Sequence, residues 1–147
     1  MNSVEVNKPH KIEEFAWINT KSMEIPLPKG TFRKIVETEA ILKHKNTIFG
    51  LAKDKNNSQR LGFIKIDLGP NIAEITIFVE KKYRRMGVGR KLFYWALENN
   101  KEKRNFYAMV SKQNEIGIAF FEALGFKKMG LGSNGWIRME FGYEDYT

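Results

Sequence analysis

The stretch Arg84-Arg85-Met86-Gly87-Val88-Gly89 decides how this chain reads. Ahead of it lies Ala73-Glu74-Ile75-Thr76-Ile77-Phe78-Val79, apolar and β-branched as a strand requires. Behind it lies Arg90-Lys91-Leu92-Phe93-Tyr94-Trp95-Ala96-Leu97, with apolar residues too dense for a loop. A strand, a glycine turn and a helix start in series leave several backbone N–H groups unpaired and aimed at one point. Such a point suits phosphate, through the orphan amides and the positive end of the helix dipole. Two glycines keep Cβ atoms out of the ligand's way, and arginines at both ends add full positive charge.

Working outward, helix is expected from Val88 to about Asn99 and strand over Phe106 to Val110. Asn114 can cap a helix over Glu115 to Leu124, which Gly125 ends in the left-handed conformation. Phe126 to Met129 and Trp136 to Phe141 read as a closing hairpin across residues 130–135. On the other side, Gly69-Pro70-Asn71 turns the chain into the strand ending at Val79. Thr47 to Ala52 and Leu61 to Ile66 are strands joined by the polar loop at 53–59. Before these, Lys11 to Ile18 forms a short helix with Ile12, Phe15 and Ile18 on one side. Two prolines and a glycine interrupt 23–30, and Thr31 caps a helix running to about His44. The order is helices, three strands, helix, strand, helix, two strands. It implies an α+β fold with a mixed, mostly antiparallel sheet flanked by helices.

The chain has 147 residues, enough for one domain with one core, and no repeat or linker divides it. It has no cysteine, which excludes disulfides, thiolate metal sites and a cysteine nucleophile. The opening residues 1–8 lack the apolar region of a signal peptide, and no apolar run is long enough to span a bilayer. The expectation is a soluble, cytoplasmic protein without a membrane partner. Net charge is +8, and residues 80–104 hold nine basic side chains against three acidic ones. The surplus surrounds the expected phosphate site. Single lysines there read as solvated surface; the arginines bracketing the glycines point to an anionic partner.

Arg84-x-x-Gly87-x-Gly89 after a strand resembles the acyl-CoA binding motif of the GCN5-related N-acetyltransferase (GNAT) superfamily. Asn114 followed by Phe120-Phe121-Glu122-Ala123-Leu124-Gly125-Phe126 is similar to that superfamily's downstream segment, and the spacing of the two blocks fits. The resemblance covers Thr47 to Phe141 and makes residues 47–141 the cofactor-binding core. Residues 1–46 then hold the variable, substrate-side helices of a single N-acetyltransferase domain over 1–147. The implied activity is transfer of an acyl group, acetyl above all, from acetyl-CoA (coenzyme A) to a primary amine of a small molecule or protein. Transfer is direct within a ternary complex, with no metal.

The resemblance assigns roles by position. Amides of Arg85, Met86, Gly87, Val88, Gly89 and Arg90 cradle the pyrophosphate, with Arg84 beside them. The strand end at Phe78, Val79 and Glu80 pairs with pantetheine amides, and an N–H near Val79 polarises the thioester carbonyl. Asn114 contacts the pantetheine arm; Phe120 and Phe121 line the thioester pocket. Glu74 is the first candidate for the base that takes the amine proton, and Glu80 the second. Ser111 reads as a strand-end hydroxyl. Two positions depart from the pattern. Phe121 stands where many relatives carry a tyrosine that protonates the leaving thiolate, and Gly117 where alanine is common. Losing a general acid costs about 10²–10⁴ in rate, and orientation alone supplies ~7–11 kcal/mol. Water, Tyr107 and Tyr143 are each candidate proton sources.

Other readings are weaker. The third glycine of a dinucleotide fingerprint is absent, no Gly-Lys-Ser or Gly-Lys-Thr follows, and His10 and His44 lie far from any motif. Trp17 and Trp136 are candidates for the acceptor cleft or for the core. Two alternatives from other classes are an acyl-CoA sensor without catalysis and a nucleic-acid module gripping phosphates through Lys81 to Arg104. The second lacks any helix-turn-helix, zinc-finger or RNP-like pattern, so nucleic acid is not the expected partner. Dimerisation is common in the family.

Overall fold

The computed structural model describes residues 3–25, 46–131 and 135–146. Its strands are β1 (Val4–Asn7), β2 (Thr47–Asp54), β3 (Arg60–Leu68), β4 (Ile72–Val79), β5 (Asn105–Ser111), β6 (Lys127–Leu131) and β7 (Trp136–Phe141). The helices are α1 (Ile12–Ser22), α2 (Val88–Glu98), α3 (Glu115–Leu124) and the single turn α4 (Tyr143–Tyr146). The expected helix beginning at Thr31 lies outside the described residues.

The strands form one sheet in the order β1-β2-β3-β4-β5-β7-β6. Every neighbouring pair is antiparallel except β4 and β5. Parallel strands need a crossover, and α2 supplies it. The mixed sheet flanked by helices is the architecture the element order implies.

Alternation divides each strand between two layers. One face carries Ile64, Ile66, Ala73, Ile75, Phe106, Ala108, Val110 and Met139, buried against Val88, Leu92, Phe93, Ala96 and Leu97 of α2 and Ile118 and Phe121 of α3. Phe93 is the centre of this layer, with ring centroids 5.2 Å from Phe141, 5.4 Å from Phe126 and 6.1 Å from Phe106. The other face carries Phe49, Leu51, Phe63 and Phe78, covered by Phe15 and Ile18 of α1. Gly50 admits the closest helix contact: a Cβ there would lie 2.6 Å from the Trp95 ring.

Several details differ from expectation. β1 was not expected, because Val4-Glu5-Val6 is too short an alternation to stand out; it becomes a strand by pairing with β2. α1 runs to Ser22, and its buried residues are Glu14, Phe15 and Ile18, while Ile12 is exposed. At about 100° per residue, Ile12 falls outside the arc those three share. Glu14 turns inward because its carboxylate accepts from the His10 and Lys11 amides, both at 3.2 Å, and pairs with Lys53 of β2. Tyr94, within the apolar run that follows the glycines, is exposed and takes a hydrogen bond from Arg90 Nη1 at 3.2 Å.

Candidate active site

The β4–β5 ladder has three rungs: Ile72 opposite Asn105, Ala73 opposite Phe106 and Glu74 opposite Tyr107. Past that last rung both strands continue, β4 held by β3 and β5 by β7, but no longer by each other. The orientation of the free backbone follows from the flanking bonds. Glu80 N–H donates to Leu61 O at 2.8 Å and Gly69 N–H to Ile72 O at 2.9 Å, so the even-numbered residues of β4 bond towards β3. Past the rung, Ile77 therefore turns its N–H and C=O, and Val79 its N–H, into the gap, while Val79 O is taken by Arg84 Nε. On β5, Lys112 N–H donates to Gly135 O at 2.9 Å, which leaves the Met109 and Ser111 backbones on the gap side. The result is a notch, closed at the Glu74–Tyr107 rung and open at the end where α2 begins.

At the open end, Gly87 is the N-cap of α2, with φ +82°. Arg85 also has positive φ, at +64°. A glycine cap offers no side-chain acceptor, and among the described residues none accepts from the N–H groups of Arg85 to Arg90. The start of α3 is the opposite case: Asn114 Oδ1 accepts from Gly117 N–H at 3.0 Å and closes that helix end. One helix N-terminus is thus sealed by its own side chain, and the other presents its dipole and amides outward. A Cβ at Gly87 would meet nothing within 4 Å. These features fit a pyrophosphate. Arg84, Arg85, Met86 and Arg90 are exposed around the cradle. Arg84 also donates from Nε to Val79 O at 3.0 Å, fastening the loop to the end of β4.

The second glycine works differently from the sequence reading. A Cβ at Gly89 would lie 2.9 Å from the Phe120 ring. Gly89 is buried and is needed for packing α3 onto the start of α2, not for a ligand's approach. Gly117 likewise has a packing reason, since a Cβ there would lie 2.5 Å from the Asn114 amide nitrogen. The remaining expected contacts divide. Val79 turns its N–H to the notch, and its Cγ2 lies 3.6 Å from where a Gly89 Cβ would stand. Phe120 sits half-buried beside Gly89, while Phe121 is buried in the core 5.0 Å from Phe126. Phe78 directs its backbone to β3 and its ring under α1, 6.5 Å from Trp17. Ser111 is buried, and its Oγ accepts from Gln113 N–H at 3.3 Å.

The two carboxylates separate clearly. Glu80 is held by Lys21 of α1 at 2.9 Å, and this ion pair raises the Lys21 pKa. Glu80 borders a cleft of about 440 Å³ with Trp17, Arg60, Lys82 and Tyr83. Glu74 sits at the closed end of the notch on the α1 face, half-buried, and accepts from Tyr107 Oη at 3.4 Å. Burial, with the negative charge of Asp67 next, raises its pKa above the ordinary glutamate value; Lys65, Tyr107 and Arg138 oppose that rise. A carboxylate with a raised pKa is the better proton acceptor. Sequence reading had no signal for the polar row around it: Arg138 lies over the Tyr107 ring at 3.9 Å and is held by Glu140 at 2.7 Å.

Among the described residues no group of three or more His, Cys, Asp or Glu could hold a metal, and no helix is long and apolar enough to cross a membrane. The acetyltransferase (GNAT) family model matches residues 12–126. No curated protein matches the chain by sequence. Among solved structures, the dodecameric spermidine N-acetyltransferase of Vibrio cholerae is similar in fold at 15% identity and TM-score 0.78, over 99% of this chain and 97% of that one. A Streptococcus mutans UA159 protein matches at 19% identity and TM-score 0.78, over 95% and 99%. A domain from Methanocaldococcus jannaschii matches at 20% and 0.70, over 94% and 97%. With the family model spanning most of its length, the chain belongs to the GNAT acetyltransferase family.

Proposed function

We propose that this protein transfers acetyl from acetyl-CoA to a primary amine by direct attack in a ternary complex. The break in the β4–β5 ladder after Glu74 opposite Tyr107 carries the reading. An extended pantetheine arm can take up the backbone groups of Ile77 and the N–H of Val79 as a partner strand would. Its pyrophosphate then falls at the open amides of Arg85 to Arg90, and its thioester points to the closed end of the notch. Ile77 N–H, the first gap-facing amide past the closing rung, is the donor for the thioester oxygen, and the amide nitrogen of Asn114 is available to the arm. Phe120 flanks it, with Phe121 behind as packing. Glu74 takes the amine proton; Glu80, neutralised by Lys21, is the poorer base. The absence of cysteine removes a cysteinyl acyl-enzyme. The whole chain acts as one N-acetyltransferase unit, with the acceptor on the α1 face. Spermidine, the substrate named for the Vibrio cholerae relative, is the first acceptor to try, beside lysine peptides, protein N-termini and small amines.

Calorimetry with acetyl-CoA and thiol release across that acceptor panel test the reading. Gly87→Trp is expected to abolish acetyl-CoA binding and Arg84→Ala to weaken it. Glu74→Gln is expected to lower kcat at least tenfold with Kd for acetyl-CoA within twofold. It also removes the acidic limb of the pH–rate profile, which lies above the ordinary glutamate value because burial raises the Glu74 pKa. An unchanged rate in Glu74→Gln takes Glu74 out of the mechanism.

A further inference from the structure

We propose that Tyr107 is the general acid of this enzyme, supplied from β5 in place of the hydroxyl that Phe121 lacks. The inference rests on the acetyltransferase reading. Three observations carry it. Tyr107 and Glu74 form the last rung before β4 and β5 part, so both side chains stand at the closed end of the notch, on the same face of the sheet. Tyr107 Oη already donates to Glu74 Oε1 at 3.4 Å, which joins the acid to the base. The phenol ring is clamped: Arg138 stacks on it at 3.9 Å, and Glu140 fixes Arg138 through Nε at 2.7 Å. Tyr143 is placed wrongly for this task. Its backbone N–H donates to Asn105 Oδ1 at 2.8 Å, at the first residue of β5 and so at the end away from the notch.

The proton traffic balances. The amine nitrogen bonds to the thioester carbonyl carbon and the carbon–sulfur bond breaks. The amine's proton passes to Glu74, and Tyr107 gives its phenolic proton to the departing sulfur. Glu74 then returns a proton to Tyr107 Oη across the hydrogen bond that already links them. Both side chains end in their starting states, and the products are an amide and a free thiol. The charged groups around Tyr107 are Glu74 from β4, Asp67 from β3, and Arg138 and Glu140 from β7, with Lys65 of β3 acting on Glu74 and Asp67. Burial first, then Glu74, raises the Tyr107 pKa, while Arg138 alone among the causes lowers it. The phenol therefore keeps its proton at neutral pH, and Arg138 is a positioning residue that eases its release.

The test compares the unmodified protein with Tyr107→Phe and Arg138→Gln, using acetyl-CoA and the best acceptor of the panel. Tyr107→Phe is expected to lower kcat about 10²-fold, with acetyl-CoA Kd within twofold, and to erase the alkaline limb of the pH–rate profile. Arg138→Gln keeps the phenol and is expected to move that limb to higher pH. A Tyr107→Phe enzyme that keeps kcat within twofold, or loses acetyl-CoA affinity in step with kcat, overturns the role. So does an alkaline limb unmoved in Arg138→Gln, a readout that stands even if Tyr107→Phe folds poorly. In each of these the acetyltransferase reading survives. Failure of the unmodified protein to release thiol with any acceptor sinks that reading and this role together.

Discussion

At the residue scale, Glu14 is the least expected charge in the molecule. Its side chain is almost fully buried, yet its pKa falls to about 2. Burial alone would raise it; the hydrogen bond from Lys53 and the amides of His10 and Lys11 outweigh that cost. The sign follows from linkage. A carboxyl depressed in the folded state contributes stability that is full above its unfolded pKa and is lost as pH falls towards 2. Chemical denaturation at pH 7 and at pH 3 is expected to show a loss on the order of 2 kcal/mol from this group. In Glu14→Gln that part of the acid sensitivity disappears, and the variant is less stable at pH 7. The identity of Glu14 was visible in the chain, but its burial was not, because Lys53 comes from β2, far along the sequence.

At the element scale, the two glycines of the motif separate by function. Gly87 holds φ +82° with open space before it, and Gly89 is pinned under the Phe120 ring. Gly87→Ala is expected to cost ~1–2 kcal/mol through the left-handed backbone, independently of Phe120. Gly89→Ala is expected to cost ~1–3 kcal/mol through overpacking. Phe120→Leu should recover much of the Gly89→Ala loss and none of the Gly87→Ala loss; thermal unfolding of the double variants decides it. The motif announced a turn and a helix start plainly, since glycine, flanking apolar periodicity and charge are all local. It could not announce which glycine faces a ligand, because Phe120 arrives from α3.

At the scale of the whole molecule, the site joins two helix ends and four strands, so its occupant should stabilise the fold as a unit. Acetyl-CoA at 100 times its Kd adds ~2.7 kcal/mol, which for a chain of this size raises Tm by roughly 5–10 °C. Duplex DNA at matched concentration and two salt levels should leave Tm unchanged. Strong, salt-dependent stabilisation by DNA without an acetyl-CoA effect would return the basic surplus at 80–104 to a nucleic-acid role.

The chain by itself determined the order of its elements, the cap at Asn114, the stop at Gly125, and a helix N-terminus without an acceptor at Gly87. Each is written in consecutive residues, through periodicity and the backbone freedom of single positions. Only the tertiary structure decided where β4 and β5 part, which carboxylate stands at the closed end of the notch, and that Tyr107 meets Glu74 across 33 residues of sequence. Strand pairing is non-local: a rung exists only when two distant segments settle into one register, and no run of neighbours encodes where that register ends.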